Sequence, residues 1–331
     1  MKVLRLSDEP LGTAEAMAAD RAMRVADLHH DLQRALSKDT VLRRDEPLNR
    51  RTTLRVGGPA DLYVEPAGEE ELTAVVDLAR VLDVPVFVLG RGSNLLIRDG
   101  GIRGVVISLA HPAFSRIEVR DGLVWAGAGA GLRQVSNAAR DAGLGGMEFM
   151  EGIPGSVGGA LRMNAGAMGG WIFDRVELLR YLEPGGNVRE IPGVEAGAQY
   201  RGCPLLVRSV ALGALLRGDA ADRAAIQERM AVSNRKRWSS QPRQPSAGCT
   251  FKNPSPDLPA GRLIDELGLK GMRVGKAMVS EVHGNFFVNL GEATAGDVLQ
   301  LIGQVRQRVR EARGIELETE VEIVGEDEVA E

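Results

Sequence analysis

The stretch GIPGSVGGALRMNAGAMGG, residues 152–170, constrains the fold of this chain more than any other. Glycine stands at 152, 155, 158, 159, 166, 169 and 170, seven of nineteen positions. Glycine loses the most backbone freedom on folding and weakens helices and strands alike, so no regular core element is expected here. Ile153, Pro154, Val157, Met163 and Asn164 make the stretch too varied for a flexible linker. The remaining expectation is a backbone against which something large and flat lies closely.

The rest of the chain must supply the walls of that contact. Its 331 residues leave room for two or three domains. With 44% hydrophobic and 26% charged residues, the composition is that of an ordinary globular protein. A net charge of −4 gives no overall basic field for nucleic acid. The N-terminus, MKVLRLSDEPLG, lacks an apolar signal core, and no run reaches the length of a membrane span, so no membrane insertion is expected. Cys203 and Cys249 are too few for a disulfide framework or a zinc site. A reduced, cytoplasmic protein without a metal centre is expected.

Residues 1–38 read as an N-terminal extension. Val25, Leu28, Leu32 and Leu36 recur at helical spacing. His29 and His30 point to different faces of that helix and are expected in solvent. From Arg51 onward, ADLYVEP, PVFVLG and GVVISL read as strands and EEELTAVVDLARVLDV as a helix. LVWAGAGAGLRQVSNAARDAGL reads as strand, turn and helix, and VELLRYLEP, VREIPG and PLLVRSVALGALL as strands. Helices are expected at 219–240, 261–269 and 292–313, and a closing strand in GIELETEVEIVG.

Several stretches carry chemistry. In VLGRGSNLL, Gly90, Gly92, Ser93 and Asn94 follow a strand and could offer backbone N–H groups to a diphosphate, or simply make a tight turn. GAGAGL falls short of a dinucleotide fingerprint, because Leu132 takes its third glycine position; it reads as a close-packed turn. Arg235, Lys236, Arg237 and Arg243 gather in NRKRWSSQPRQP, as a solvated helix end or a local anion site. Arg201, in AQYRGC, could clamp a carboxylate. Glu316, Glu318, Glu320 and Glu322 share one face of the closing strand, and a period of two cannot choose among them. Cys249, in SAGCTFKNP, is either a buried small hydrophobe or a working acid in a loop.

Eight blocks in order, from about residue 49 to 325, resemble the UDP-N-acetylenolpyruvoylglucosamine reductases, the UDP-N-acetylmuramate dehydrogenases of peptidoglycan synthesis. They are TTLRVGGPADL, LGRGSNLL, GIPGSVGGALRMNAGA, YRG, PSAGCTFKNP, AGRLIDELGLKG, VSEVHGNFFVN and LETEV. The compact segment between Val188 and Arg235 places the resemblance with the short-loop subtype. The resemblance implies an α+β chain with an FAD-binding fold of the vanillyl-alcohol-oxidase (PCMH) type in two subdomains, and a C-terminal α+β substrate domain. The divisions expected are 1–38, 39–218 with a split near 100, and 219–331.

It further implies non-covalent FAD, NADPH as reductant, and UDP-N-acetylglucosamine enolpyruvate as small-molecule substrate, handled by a monomer. Hydride would pass from the flavin N5 to the substrate. Arg201 and Glu320 would steady the charge that develops, and Cys249 would donate the proton where the family usually has serine. Arg55, Gly57 and Gly58, with Leu89, Gly90, Arg91, Gly92, Ser93, Asn94 and Leu95, would hold the cofactor diphosphate region. Ile153, Pro154, Gly155, Ser156, Gly158, Gly159, Asn164, Ala165, Gly166 and Arg237 would line the rest. Tyr200, Asn253, Lys270 and His283 would touch substrate. Val282, Met168 and Cys203 depart from the family's usual residues. Two other readings stay open. One is an FAD oxidase of the same fold acting on an alcohol or hydroxy acid. The other is a silent nucleotide-binding module, which would need Arg201, Cys249 and Glu320 to lie apart.

Overall fold

The computed structural model describes residues 14–327. The described helices are α1 (Ala14–Ala35), α2 (Glu69–Val81), α3 (Leu132–Asp141), α4 (Val157–Arg162), α5 (Arg223–Ser240), α6 (Ala260–Glu266) and α7 (Ala295–Arg313). They cover three sheets.

The first sheet orders its strands Val41–Pro47, Pro59–Glu65, Ile102–Ser108 and Val86–Leu89. Its outer hairpin is antiparallel and the two other pairings are parallel. Alternation along Pro59–Glu65 sends Leu62 and Val64 to one face and Tyr63 to the other, and all three are buried. Leu62 and Val64 meet Leu72, Val75 and Ala79 of α2 and Val25, Leu28 and Leu32 of α1. Residues 14–35 are therefore part of this core, where an appendage was expected. Burial of the α1 stripe is what holds the helix, since helices of this length draw most of their stability from packing. His30 is exposed as expected, but His29 is half-buried, and burial lowers its pKa.

The second sheet is antiparallel, in the order Val188–Pro192, Val176–Leu182, Val210–Arg217, Leu123–Gly127 and Ile117–Arg120. The expected strand PLLVRSVALGALL starts only at Val210, because Pro204 opens a single 3-10 turn over Pro204–Val207. α3 and α4 pack on the sheet through Leu132, Val135, Ala139, Val157, Ala160 and Leu161. The third sheet, Ser246–Cys249, Phe286–Asn289, Ala277–Val279 and Arg273–Val274, is covered by α6 and α7. Thr294 caps α7 at Asp297 N–H, and Gly314 ends it at φ +68°.

Three expectations need correction. The glycine-rich stretch contains a helix after all. α4 is capped by Ser156, and Gly158 lets it press on Ala128, where a Cβ would meet another at 3.1 Å. The closing strand shrinks to Glu322–Val324, because Ile315–Val321 crosses the third sheet irregularly. The helix expected from 219 starts at Arg223, behind the Asp222 cap, while Asp219–Ala220 pairs with Leu144–Gly145. Ile102–Ser108 lies inside the first sheet, and α5 packs on the second unit beside α3. We therefore propose unit divisions near 115 and 241, in place of 100 and 219.

Glu71 ties α1 to α2. It accepts from Ser37 N–H (2.8 Å), Ala67 N–H (2.9 Å) and the Thr40 hydroxyl. Burial works against its charge, but these hydrogen bonds win and hold its pKa down at about 2. A depressed carboxylate pKa contributes stability above the unfolded pKa of 4.5 that is lost as pH falls toward 2. Glu71→Gln should therefore lose stability at neutral pH and much less at pH about 3, in denaturant titrations. Leu28→Ala should cost about 2–5 kcal/mol in the same titrations, as a core residue does and an appendage residue does not.

Candidate active site

Two adjoining cavities, of about 920 and 740 Å³, run between the units and share Gly90, Arg91, Ser156 and Gly159. The larger brings together Arg201, Cys249 and Glu320, from three distant parts of the sequence. It also collects Arg55, the loop from Gly90 to Leu95, Ile153 to Ser156, Gly159, Ala165, Gly166 and Arg237. Leu89 and Gly158 line the smaller one.

The glycine loop is built to receive acceptors. Among the described residues, the N–H groups of Arg91, Gly92, Ser93 and Asn94 find no hydrogen-bond acceptor. Gly92 sits at φ +58°, and a Cβ there would fall 2.5 Å from Arg51 O, so only glycine fits. Asn94 uses its side chain differently. Its Nδ2 donates to Glu320 O (3.1 Å), and its carbonyl accepts from Glu322 N–H (3.0 Å). Parallel pairing of Glu322–Val324 with Leu95–Ile97 carries this contact onward.

Glu320 is pinned from the other side as well. Its N–H donates to Thr250 O (2.8 Å), next to Cys249, and Lys252 N–H donates to Glu318 O (2.9 Å). Cys249 ends the strand Ser246–Cys249 opposite Phe286, after Gly248 takes φ +80° at a register shift. Burial raises the thiol pKa most, Glu320 raises it further, and Arg201, Asn285 and Arg237 partly offset this, leaving it at about 12. The thiol is therefore protonated across neutral pH.

Arg201 sits at the tip of a tight turn closed by Gln199 N–H to Gly202 O (2.8 Å) and Gly202 N–H to Gln199 O (3.2 Å). Its φ of +58° is strained for a residue with a side chain, as often at functional sites. Arg201 Nε lies 2.7 Å from Glu320 Oε1, but the approach misses hydrogen-bond geometry and this buried N–H has no acceptor. The contact is a close, partly buried ion pair. Burial raises the Glu320 pKa and Arg201 only partly offsets it. Arg237, on α5, is half-buried with no carboxylate partner among the described residues, and burial lowers its pKa. Its stem runs past Gly152, where a Cβ would make ordinary contact at 3.5 Å.

The remaining expected residues do not line the cavities. Gly57, at φ +124°, and Gly58, whose Cβ would fall 1.9 Å from Asp99 O, make a tight join to the 98–101 turn. Asn164 anchors the Arg201 turn through Nδ2 to Gln199 O (3.1 Å). Tyr200 is 55% exposed beside Arg201. Asn253 accepts from Ala260 N–H at the start of α6, Lys270 pairs with Asp265 at 2.6 Å, and His283 Nδ1 accepts from Asn285 N–H. GAGAGL is the close-packed turn expected, with a Cβ on Gly129 falling 2.0 Å from Leu109 O.

Sequence reasoning missed Arg50, Trp238, Gln241 and Phe286 in the larger cavity, which also holds Arg237 and Arg243 of the basic cluster. It also missed the exposed Val86 and Val88 in the smaller one. The unbroken apolar run PVFVL instead reads as a strand buried on both faces, whereas Val86–Leu89 lies at the sheet edge with both valines open. Gln241 Oε1, like Arg201 Nε, is buried without a partner. Unbonded N–H groups, orphaned polar atoms and unpaired arginines together fit an elongated anionic ligand.

Comparison with known proteins follows the same lines. Residues 241–324 match the family described as "UDP-N-acetylenolpyruvoylglucosamine reductase, C-terminal domain", and residues 60–192 match "FAD binding domain". The chain is 48% identical over 286 residues to UDP-N-acetylenolpyruvoylglucosamine reductase of Geobacter metallireducens, covering 86% of this chain and 94% of that one. It is 46% identical to the reductase of Pelobacter propionicus over 87% of this chain and 97% of the relative. The crystal structure of the Thermus caldophilus reductase superposes with a TM-score of 0.74 at 41% identity, over 86% of this chain and 98% of that one.

A thiol raised to about 12 is almost wholly un-ionised at neutral pH. Cys249 in the native protein should therefore alkylate far more slowly than an ordinary thiol, with a rate still climbing at about pH 10. Rapid neutral labelling of Cys249, located by peptide mass spectrometry, would contradict this.

Proposed function

The chain belongs to the UDP-N-acetylenolpyruvoylglucosamine reductase family, and from that premise we propose that it reduces UDP-N-acetylglucosamine enolpyruvate to UDP-N-acetylmuramate. The observation that carries the proposal is the convergence of Arg201, Cys249 and Glu320 on one cleft. It answers the silent-module reading, which needed them apart. FAD, renewed by NADPH, supplies the hydride when bound; the residues that would hold it are Arg91 to Asn94 with their unbonded N–H groups, and the glycine-lined wall from Ile153 to Gly159.

The chain's own residues then have three tasks. Arg201 offers its terminal N–H groups to the substrate carboxylate, next to which negative charge grows, while its Nε stays on Glu320. Glu320 holds the Arg201 guanidinium from the opposite side and keeps the nearby thiol from ionising. Cys249 donates its S–H proton to the substrate carbon that bears the charge, and the resulting thiolate recovers a proton from solvent. One hydride and one proton saturate the enolpyruvyl double bond, so the reaction balances. Arg237 faces the same thiol and steadies it once it becomes anionic.

The test is anaerobic. Enzyme reduced with NADPH should be reoxidised by the enolpyruvyl substrate, as read from flavin absorbance. Cys249→Ala should slow that step about 10²- to 10⁴-fold and leave reduction by NADPH unchanged, while Cys249→Ser keeps activity. Full-rate reoxidation in Cys249→Ala would remove the thiol from the mechanism. Glu320→Gln takes away a charge that raises the thiol pKa, so Cys249 should alkylate faster in that variant.

A further inference from the structure

Arg201 is held by more than Glu320. Its Cζ lies 5.4 Å from the centroid of the Trp171 ring and 5.2 Å from that of Tyr200, and the two rings meet edge to face at 5.7 Å and 72°. Trp171 does not line the larger cavity, so its route to the chemistry is through Arg201. We propose that Trp171 is a positioning residue, whose indole holds the Arg201 guanidinium toward the substrate carboxylate without consuming its N–H donors. This rests on the role proposed for Arg201.

The physical case begins with how an arginine can be immobilised. A second carboxylate would fix it but would take up donors and cancel the charge the reaction uses. A ring face attracts the cation through its quadrupole and leaves the in-plane N–H groups free. That matches Arg201, whose one carboxylate contact is made through Nε, with its terminal N–H groups free of a second carboxylate among the described residues.

Trp171 is itself fixed, as a positioning group must be. Its backbone N–H donates to Asp174 Oδ2 at 2.8 Å, and the backbone N–H of the next residue, Ile172, donates to Ala165 O at 3.0 Å. Its ring rests on Gly166, where any Cβ would fall 2.4 Å from the indole Cε3. Gly166 therefore serves the tryptophan as well as the cleft. Tyr200 is 55% exposed and held less firmly, so the tryptophan is the more rigid of the two rings.

The experiment uses the flavin-loaded, full-length enzyme and its two half-reactions. Trp171→Leu and Trp171→Met both remove the aromatic face, and Trp171→Phe keeps one. Reoxidation by the enolpyruvyl substrate should slow about tenfold in the Leu and Met variants and stay within about threefold of wild type in Phe. Reduction by NADPH should stay within about twofold in all three. Met decides the matter if Leu does not fold. Wild-type reoxidation in Leu or Met, equal loss in Phe and Met, or equal slowing of both half-reactions would each overturn the proposal. Wild-type enzyme that this substrate fails to reoxidise would instead sink the underlying reading of Arg201, and the positioning role with it.

Discussion

The parallel pairing of Glu322–Val324 with Leu95–Ile97 is the contact on which the site depends. A three-residue strand is too short to stand alone, and this one is secured at both ends. Arg98 N–H donates to Val324 O at 2.9 Å and Glu326 N–H to Gly101 O at 2.9 Å. Arg162 pairs with Glu322 at 2.6 Å, and Arg21 of α1 with Glu326 at 2.8 Å. Exposed ion pairs of this kind add little individually. The ladder supplies register. It sets Glu320 against the glycine loop on one side and Thr250 on the other, so the last stretch of chain completes a cavity opened by the first unit.

That closure also explains why the site is electrostatically one object. Arg201, Arg237, Glu320 and Cys249 come from three different parts of the chain, yet the protonation of Arg237, Glu320 and Cys249 depends on these neighbours or on the shared enclosure. Burial lowers the Arg237 pKa and raises those of Glu320 and Cys249, so enclosure disfavours every charge. A ligand that brings its own negative charge supplies the partner that Arg237 lacks among the described residues.

The sequence carried the individual elements well. Leu28, Leu32, Leu62 and Val64 are buried because their periods match a helix and a strand packed on a shared core. The motif blocks also pointed to Arg201, Cys249 and Glu320, which local pattern alone could not single out. What was not legible is which polar groups are already spent. Asn164 and Asn253 read by resemblance as cofactor- and substrate-facing, yet their side chains hold the Arg201 turn and the start of α6. The α4 helix was hidden for a similar reason. Glycine's general cost in helices was outweighed by one close approach to Ala128 that no local rule anticipates.

The thiol at Cys249 stands where the resembled family usually has a hydroxyl, and the structure gives a physical reason why the exchange can be tolerated. An ordinary thiol has a pKa of about 8.5 and would ionise part of the time near neutral pH, leaving no proton to give. Here the enclosure that suits a neutral hydroxyl, together with Glu320, pushes the thiol to about 12. The same neighbours serve the opposite state once the proton has left, because Arg201 and Arg237 both favour the anion. The site therefore opposes ionisation before transfer, while Arg201 is engaged by Glu320 and the substrate carboxylate. In the proposed reaction Arg237, which has no carboxylate partner among the described residues, would favour the thiolate afterwards. A neutral acid with cations close at hand is the arrangement a proton donor requires, and it makes no demand that the donor atom be oxygen.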